Sequence, residues 1–200
     1  MYDDEFELTF DLSDEDKASR APEPEQEPVQ EAAPEPAAET EPPVEPVPGP
    51  AVPVANGRCV LISGGDRGIG AAAARAFWQA GYRVAVLYHT HAEAAAALEK
   101  ALPGLLAVQC DVASRASCEV AFHTVEQAVG HVDVLVSNAG IAQQKLFTDI
   151  TPEEWKHMLD VNLSGAFHLC QLALPGMIRR KAGRILTVSS MWGQTGGSCE

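Results

Sequence analysis

The chain has 200 residues and a formal net charge of −14, from 28 Asp and Glu against 14 Lys and Arg. Residues 1–50 contain 16 of the acidic and 2 of the basic side chains, so residues 51–200 contain 12 of each and are neutral. Because nucleic-acid-binding domains need a basic surface, this balance argues against DNA or RNA as a partner.

The first 54 residues have the composition of a disordered tail. Eleven of the 14 prolines lie between Pro22 and Pro53, interleaved with glutamate. Such a segment buries too little apolar surface to offset its chain entropy, so we predict disorder over residues 1–54. Four apolar side chains alternate with polar ones near its start: Phe6, Leu8, Phe10 and Leu12. They are incidental to an acidic solubilising tail, or they form a short peptide that docks on a sheet edge.

The N-terminal residues and the cysteines predict a cytoplasmic protein. The acidic start, Met1 to Glu5, lacks the basic and apolar regions of a signal peptide. No apolar stretch reaches the length of a membrane span, so no membrane partner is expected. The five cysteines show no Cys-x-x-Cys spacing, which indicates reduced thiols: Cys59, Cys110, Cys118, Cys170 and Cys199.

From residue 55 onward, strand and helix patterns alternate. The predicted strands are Cys59–Ser63, Arg83–Tyr88, Leu105–Cys110, Val132–Ser137 and Arg184–Ser189. The predicted helices are Gly68–Ala80, Ala92–Ala101, a third from its N-cap Ser114 to Val129, and a long one from its N-cap Thr151 to about Arg180. Continuous apolar strands indicate a sheet covered on both faces. We therefore predict an α/β fold with a doubly wound parallel sheet, Rossmann-like, in residues 55–200.

A glycine-rich motif joins the first strand to the first helix: Ser63-Gly64-Gly65-Asp66-Arg67-Gly68-Ile69-Gly70. Gly64 lets the chain turn, Gly68 lets a pyrophosphate approach the backbone, and Gly70 lets the helix pack tightly on the strand. The N–H groups at the helix N-terminus then face the phosphates. The motif residues predicted to bind the cofactor are Gly64, Gly65, Asp66, Arg67, Gly68, Ile69 and Gly70. The alternative is a tight turn with no ligand.

Five motifs in this order resemble the short-chain dehydrogenase/reductase family over residues 58–200. They are the glycine motif, Asp111-Val112, Ser137-Asn138-Ala139-Gly140, Asp160-Val161-Asn162 and Val188-Ser189-Ser190. Two positions depart from the family pattern, Ser63 where the family has Thr and Ser137 where it has Asn.

The resemblance implies roles for these residues at the carboxyl ends of the strands. Asp111, with Val112 beside it, accepts a hydrogen bond from the adenine amino group, or Asp111 only caps a turn. Asn138, with Ala139 and Gly140 leaving room, holds the cofactor ribose and stabilises the fourth strand, or the stretch is only a tight turn.

Two residues are implied to be catalytic. Asn162 binds an ordered water in a proton relay, or it back-bonds its own helix. Ser190 binds the carbonyl oxygen of the substrate.

The charge pattern at the end of the second strand favours NADPH. NAD-specific folds place an acid there, whereas this chain has Leu87 to His91 and no acid until Glu93. Arg67 is placed to reach a 2′-phosphate, with His89 and Thr90 as further donors, or Arg67 only reaches solvent. His89 and His91 are not interpreted as metal ligands, because no third ligand lies near them in sequence.

The resemblance predicts an NADPH-dependent ketone reductase that forms a homodimer or homotetramer. It extends to 3-oxoacyl carrier-protein reductases and, through Trp192 and the Ser-Cys-Glu end, to elongation factor P 5-aminopentanone reductases. The substrate is then a small-molecule ketone or one bound to a carrier or protein. The alternative is a non-catalytic cofactor-binding scaffold or adaptor that acts through its acidic tail.

The family's Tyr-x-x-x-Lys segment is expected only after Glu200. We therefore expect a fragment, or the product of a truncated gene, that is inactive and has a sheet incomplete at its C-terminal side. The last strand should be an uncovered edge, and the long helix should expose apolar side chains: Leu159, Leu163, Phe167 and Leu174.

Overall fold

Five parallel strands form one sheet in the computed structural model, which describes residues 55–197. The strands are β1 Cys59–Ser63, β2 Arg83–Tyr88, β3 Leu106–Gln109, β4 Val134–Ser137 and β5 Arg184–Thr187. Their spatial order is β3-β2-β1-β4-β5, and every neighbouring pair is parallel. The predicted doubly wound parallel sheet is confirmed, whereas the predicted disordered tail of residues 1–54 lies outside the described residues.

Six α-helices connect or follow the strands within residues 55–197. They are α1 Gly68–Gln79, α2 Ala92–Ala101, α3 Arg115–Val129, α4 Pro152–Leu159, α5 Gly165–Arg180 and α6 Trp192–Thr195. A π-helical turn, Asp160–Ser164, lies between α4 and α5. The prediction of one uninterrupted helix to Arg180 is therefore wrong in this detail, and the short α6 was not predicted.

The helix boundaries follow the capping residues in the sequence. The Ser114 side chain accepts a hydrogen bond from the backbone N–H of Ser117 at the start of α3, and Gly130 ends that helix with φ +88°. At the start of α4, Thr151 and Glu154 form a reciprocal capping box. The predicted caps are confirmed.

Three strands are shorter than predicted because their ladders end earlier. β4 begins at Val134, where it pairs with Arg184, and β5 ends at Thr187 opposite Ser137. Before β4, the Asp133 carboxylate accepts a hydrogen bond from the Cys59 N–H over 2.9 Å. A side chain therefore replaces the backbone partner at the edge of this ladder.

Both faces of the sheet are covered by helices, as the apolar strands predicted. Every residue of β1 is buried. Cys59 and Leu61 belong to the cluster with α3 and α5, whereas Val60 and Ile62 belong to the cluster with α1 and α2. Burial raises the pKa of the Cys59 thiol to about 11.

The β5 side of the molecule is exposed. Among residues 55–197, β5 pairs with β4 and has no strand on its other side. The four apolar side chains predicted to lack packing on the long helix are exposed. Among the helices in this part of the chain, none combines the length and the apolar character needed to cross a bilayer.

Candidate functional site

A cavity of about 360 Å³ lies at the carboxyl ends of β1 and β4, where the strand order reverses. Eleven of its lining residues were predicted to bind a cofactor: Gly64, Asp66, Arg67, Gly68, Ile69, His89, Asp111, Val112, Asn138, Ala139 and Gly140. Eight others complete the lining: Leu87, Tyr88, Thr90, His91, Cys110, Ile141, His157 and Val161. We call this space the switch-point cavity and residues 63–70 the glycine loop.

The glycine loop is shaped by close backbone contacts. Gly64 has φ +61°, which supports the predicted sharp turn. A Cβ on Gly70 would lie 2.1 Å from the Gly64 carbonyl oxygen, and one on Gly65 would lie 2.6 Å from Val86. Gly65 and Gly70 thus pack outside the cavity lining, and their contact with a cofactor stays a prediction. Gly68, at φ +52°, has open space where a Cβ would point.

Asn138 and Ser63 join the glycine loop to the end of β4. The Asn138 Nδ2 donates to the carbonyl oxygens of Ser63 and Gly64 over 3.0 and 2.9 Å. In return, the buried Ser63 Oγ accepts from the N–H groups of Asn138 and Ala139 over 3.0 and 3.1 Å. Asn138 therefore stabilises the loop with its amide protons, and its contact with a cofactor ribose stays a prediction.

Asp111 caps the turn after β3. Its Oδ1 accepts a hydrogen bond from the Ala113 N–H over 3.0 Å, and its own N–H donates to the Ser117 hydroxyl. Val112 is buried, and its carbonyl oxygen lies 3.0 Å from the His168 Nδ1. The capping role of Asp111 is present, and its contact with adenine stays a prediction.

Asn162 clamps the loop after β4 to the π-helical turn. Its Oδ1 accepts from the Ile141 N–H over 2.9 Å, and its Nδ2 donates to the Ile141 carbonyl over 3.0 Å. A Cβ on Gly140 would lie 2.9 Å from the Asn162 Oδ1, so the loop passes close to this side chain. The extra residue of a π turn presents Asn162 outward to Ile141, and such turns are frequent at functional sites.

An ion pair joins the same loop to α4. Lys145 Nζ lies 2.8 Å from Glu154 Oε2, and the Thr151 N–H donates to the same oxygen. The hydrogen bond from Lys145, followed by the one from Thr151, lowers the pKa of Glu154 to about 2. Glu154 therefore acts both as the capping-box acid and as the anchor of the loop.

Ser190 lies beyond β5 and outside the lining of the switch-point cavity. Its exposed side chain accepts a hydrogen bond from the Trp192 N–H over 3.2 Å at the start of α6. The hydroxyl proton is thereby left to donate. The structure thus brings eleven of the thirteen predicted cofactor residues together around the cavity, whereas Ser190 is not among its lining residues.

Arg67, His91 and Asp66 meet at the rim of the cavity. The Arg67 Nη1 lies 3.3 Å from the His91 Nε2, and the His91 Nδ1 lies 3.6 Å from the Asp66 Oδ2. Arg67 thus contacts His91 as well as solvent. The sequence placed no acid at the end of β2, yet the glycine loop brings the Asp66 carboxylate beside His91.

Among the lining residues that the sequence did not assign to the site, His91 and Ile141 contact predicted site residues. The sequence excludes His91 as a metal ligand and gives no signal for another role, because its distance from Asp66 depends on how two loops approach each other. Ile141 acts through its backbone, which leaves no residue-type signal. Within the part of the chain that the structure describes, no three His, Cys, Asp or Glu side chains are grouped to hold a metal ion.

Comparison with known proteins identifies the family. A family model described as short chain dehydrogenase matches residues 58–200, so the chain belongs to the short-chain dehydrogenase family, a class of oxidoreductases. The motifs predicted this assignment.

Named relatives are similar over the same region. An acetoacetyl-CoA reductase of Paracoccus denitrificans is 40% identical over 137 residues, which cover 68% of this chain and 56% of that protein. The 3-oxoacyl-[acyl-carrier-protein] reductase MabA of Mycobacterium avium is 39% identical over 144 residues, covering 70% of this chain and 53% of that protein. The chain spans about half the length of the curated relatives it matches.

Proposed function

We propose that this protein binds NADPH in the switch-point cavity and reduces a ketone. The observation that carries the proposal is the junction of the glycine loop with β4, where Asn138 and Ser63 hold an open loop at the N-terminus of α1. Family membership and relatives named as reductases support it.

The residues present fit a dinucleotide. A Cβ on Gly68 would point into open space, so the backbone can be approached closely at the start of α1. None of the residues in the first turn of α1 is acidic, so its N–H groups and positive dipole are available to phosphate. Arg67 at the rim would hold the 2′-phosphate that distinguishes NADPH from NADH.

The chain's own residues would position the reacting groups. The cofactor, when bound, supplies a hydride. The Ser190 hydroxyl, which already accepts from Trp192, would donate a hydrogen bond to the ketone oxygen and orient it. Asn162 would act as a positioning residue, because its bonds to Ile141 hold the loop that lines the cavity. Asp111 and the Oδ1 of Asn138 would hold the adenine and ribose.

The substrate class follows from the relatives' names. Their acetoacetyl-CoA and 3-oxoacyl carrier-protein substrates are ketones carried on thioesters, and we propose such a ketone here. The 5-aminopentanone group on elongation factor P stays the second candidate, supported by the sequence around Trp192. A cytoplasmic location and a homodimer or homotetramer are part of the same proposal.

A polypeptide of these 200 residues contains no tyrosine after Ser190. Reducing a ketone needs a proton donor for the alkoxide, and a serine hydroxyl has no suitable acidity. We therefore propose that this polypeptide binds NADPH without turning over a ketone.

Fluorescence titration of the 200-residue chain with NADPH tests binding. Gly68→Ala should weaken affinity at least tenfold, because its Cβ would fill the space left for phosphate. Gly104→Ala is the matched control, since Gly104 also has a positive φ, +86°, and open space around its Cβ, but lies before β3 at the opposite end of the sheet. Equal losses in both variants would contradict the proposed site.

Ketone reduction is tested with the protein expressed from its intact gene. NADPH oxidation that depends on acetoacetyl-CoA, and that Ser190→Ala abolishes, would support the enzyme. NADPH binding with no oxidation on any thioester or protein-bound ketone would instead support the scaffold.

A further inference from the structure

The rim of the switch-point cavity carries a buried carboxylate where a phosphate is proposed to bind. The Asp66 side chain is 6% exposed, and its Oδ2 accepts no hydrogen bond from the residues described. A buried carboxylate oxygen without a hydrogen-bond partner is costly, and the carboxylate charge repels an anionic ligand at short range. The proposed phosphate site therefore needs a group that offsets Asp66.

His91 is the group that faces this carboxylate. Its Nδ1 lies 3.6 Å from the Asp66 Oδ2 and 3.2 Å from the Thr90 hydroxyl. Its Nε2 lies 3.3 Å from the Arg67 Nη1. Because a guanidinium can only donate, Nε2 is the acceptor in this contact, which assigns the proton of neutral His91 to Nδ1, on the side of Asp66.

One imidazole thus faces two charged side chains of the glycine loop. Its protonated Nδ1 donates to the Thr90 hydroxyl over 3.2 Å and faces the Asp66 Oδ2 at 3.6 Å, and its Nε2 contacts the Arg67 guanidinium at the rim. Without the ring, Arg67 loses that contact and the Asp66 charge is left uncompensated beside it. Both changes act on the region that would receive a 2′-phosphate and have less influence on a cofactor that lacks this group.

We infer that His91 is a specificity-determining residue, which permits a 2′-phosphate to bind beside Asp66 by screening that carboxylate and positioning Arg67. This inference rests on the proposed cofactor function of the switch-point cavity. It predicts that the effect of replacing His91 on phosphate binding depends on the Asp66 carboxylate. A role for Arg67 alone would not produce this dependence.

The test is a double-mutant cycle on the full 200-residue chain, read by isothermal titration calorimetry. The probes are adenosine 2′,5′-bisphosphate, which carries the 2′-phosphate, and 5′-AMP, which lacks it. His91→Ala should weaken bisphosphate binding about tenfold and lower the preference for bisphosphate over 5′-AMP. Asp66→Asn, added to His91→Ala, should restore most of the loss, because the charge that needed screening is gone.

His131→Ala is the matched control. His131 is also an exposed histidine that faces a carboxylate, with its Nδ1 3.9 Å from the Glu126 Oε1, but it lies at the end of α3 away from the cavity. The control should bind both probes as the parent chain does. Circular dichroism should show that every variant is folded, which is expected because the His91 side chain is 47% exposed.

The outcomes separate the two proposals. If the parent chain binds neither probe, the proposed cofactor function fails and this inference fails with it. If the parent binds the bisphosphate but His91→Ala binds it equally well, the function stands and the inference is overturned. Equal weakening for both probes, or no recovery with Asp66→Asn, also overturns it, because His91 would then have only a structural role.

Discussion

The Nδ2 of Asn138 donates to the carbonyl oxygen of Gly64 over 2.9 Å, and this contact joins the end of β4 to the glycine loop after β1. The same nitrogen donates to the Ser63 carbonyl. The shape of the cavity therefore depends on a side chain that lies 74 residues away from the loop it holds.

Asn138→Ala should destabilise the fold. Two half-buried carbonyls lose their donor, and unsatisfied groups of this kind cost about 2–3 kcal/mol in total. Urea unfolding measures the loss. Asn56→Ala is the control, because Asn56 donates to the Ala80 carbonyl at an exposed position and should cost less than about 1 kcal/mol. If Asn138→Ala lowers the free energy of unfolding no more than Asn56→Ala does, the Asn138 contact does not stabilise the fold.

Gly70→Ala should also destabilise the fold, although alanine favours helices. The added Cβ would lie 2.1 Å from the Gly64 carbonyl oxygen and 2.7 Å from the Asn138 Nδ2, so backbone must move at a cost of about 2 kcal/mol. Thermal unfolding of the variant measures this. Gly176→Ala in α5 meets only the end of the Arg180 side chain and should change stability by less than about 1 kcal/mol. If the two substitutions behave alike, the packing argument fails.

Arg67 should set the cofactor preference. We expect NADPH to bind at least tenfold tighter than NADH, which corresponds to about 1.4 kcal/mol. Arg67→Ala should remove most of this difference, as measured by fluorescence titration with both cofactors. Arg75→Ala removes an exposed arginine from α1, the helix that begins just after Arg67, outside the cavity lining, and should keep the preference. Equal affinities of the parent chain for the two cofactors would refute the prediction.

The Glu154 contacts should make stability depend on acid pH. The folded-state pKa of about 2 lies below the ordinary value of 4.5, so Glu154 stabilises the folded state above about pH 4.5. This contribution should disappear as the pH falls from 4.5 towards 2, because the unfolded chain then binds the proton more readily.

The measurement compares urea unfolding of the parent and Glu154→Gln between pH 7 and pH 3. The parent should be the more stable at neutral pH, and the difference should shrink as the pH falls. Glu153→Gln, in the same turn but outside the capping box, is the control. A difference that stays constant across this range would show that Lys145 and Thr151 do not lower the pKa of Glu154.

Local patterns in the sequence determined the fold class, the strand and helix order, the caps and the family. Continuous apolar runs such as Cys59–Ser63 require covering on both faces, and Ser114 and Thr151 can satisfy free N–H groups wherever the helix lies. Glycines in the loop indicated tight backbone contacts. These properties depend on neighbours in sequence, so they could be predicted from the residues alone.

The tertiary structure decided how distant side chains are used. Asn138 donates its amide protons to the glycine loop, Asn162 contacts Ile141 from within a π-helical turn, and His91 lies close to both Asp66 and Arg67. Each contact joins residues that are 21 or more positions apart in sequence. Hydrogen bonds and charge pairs act over a few ångströms, so only the approach of separate loops determines which groups become partners.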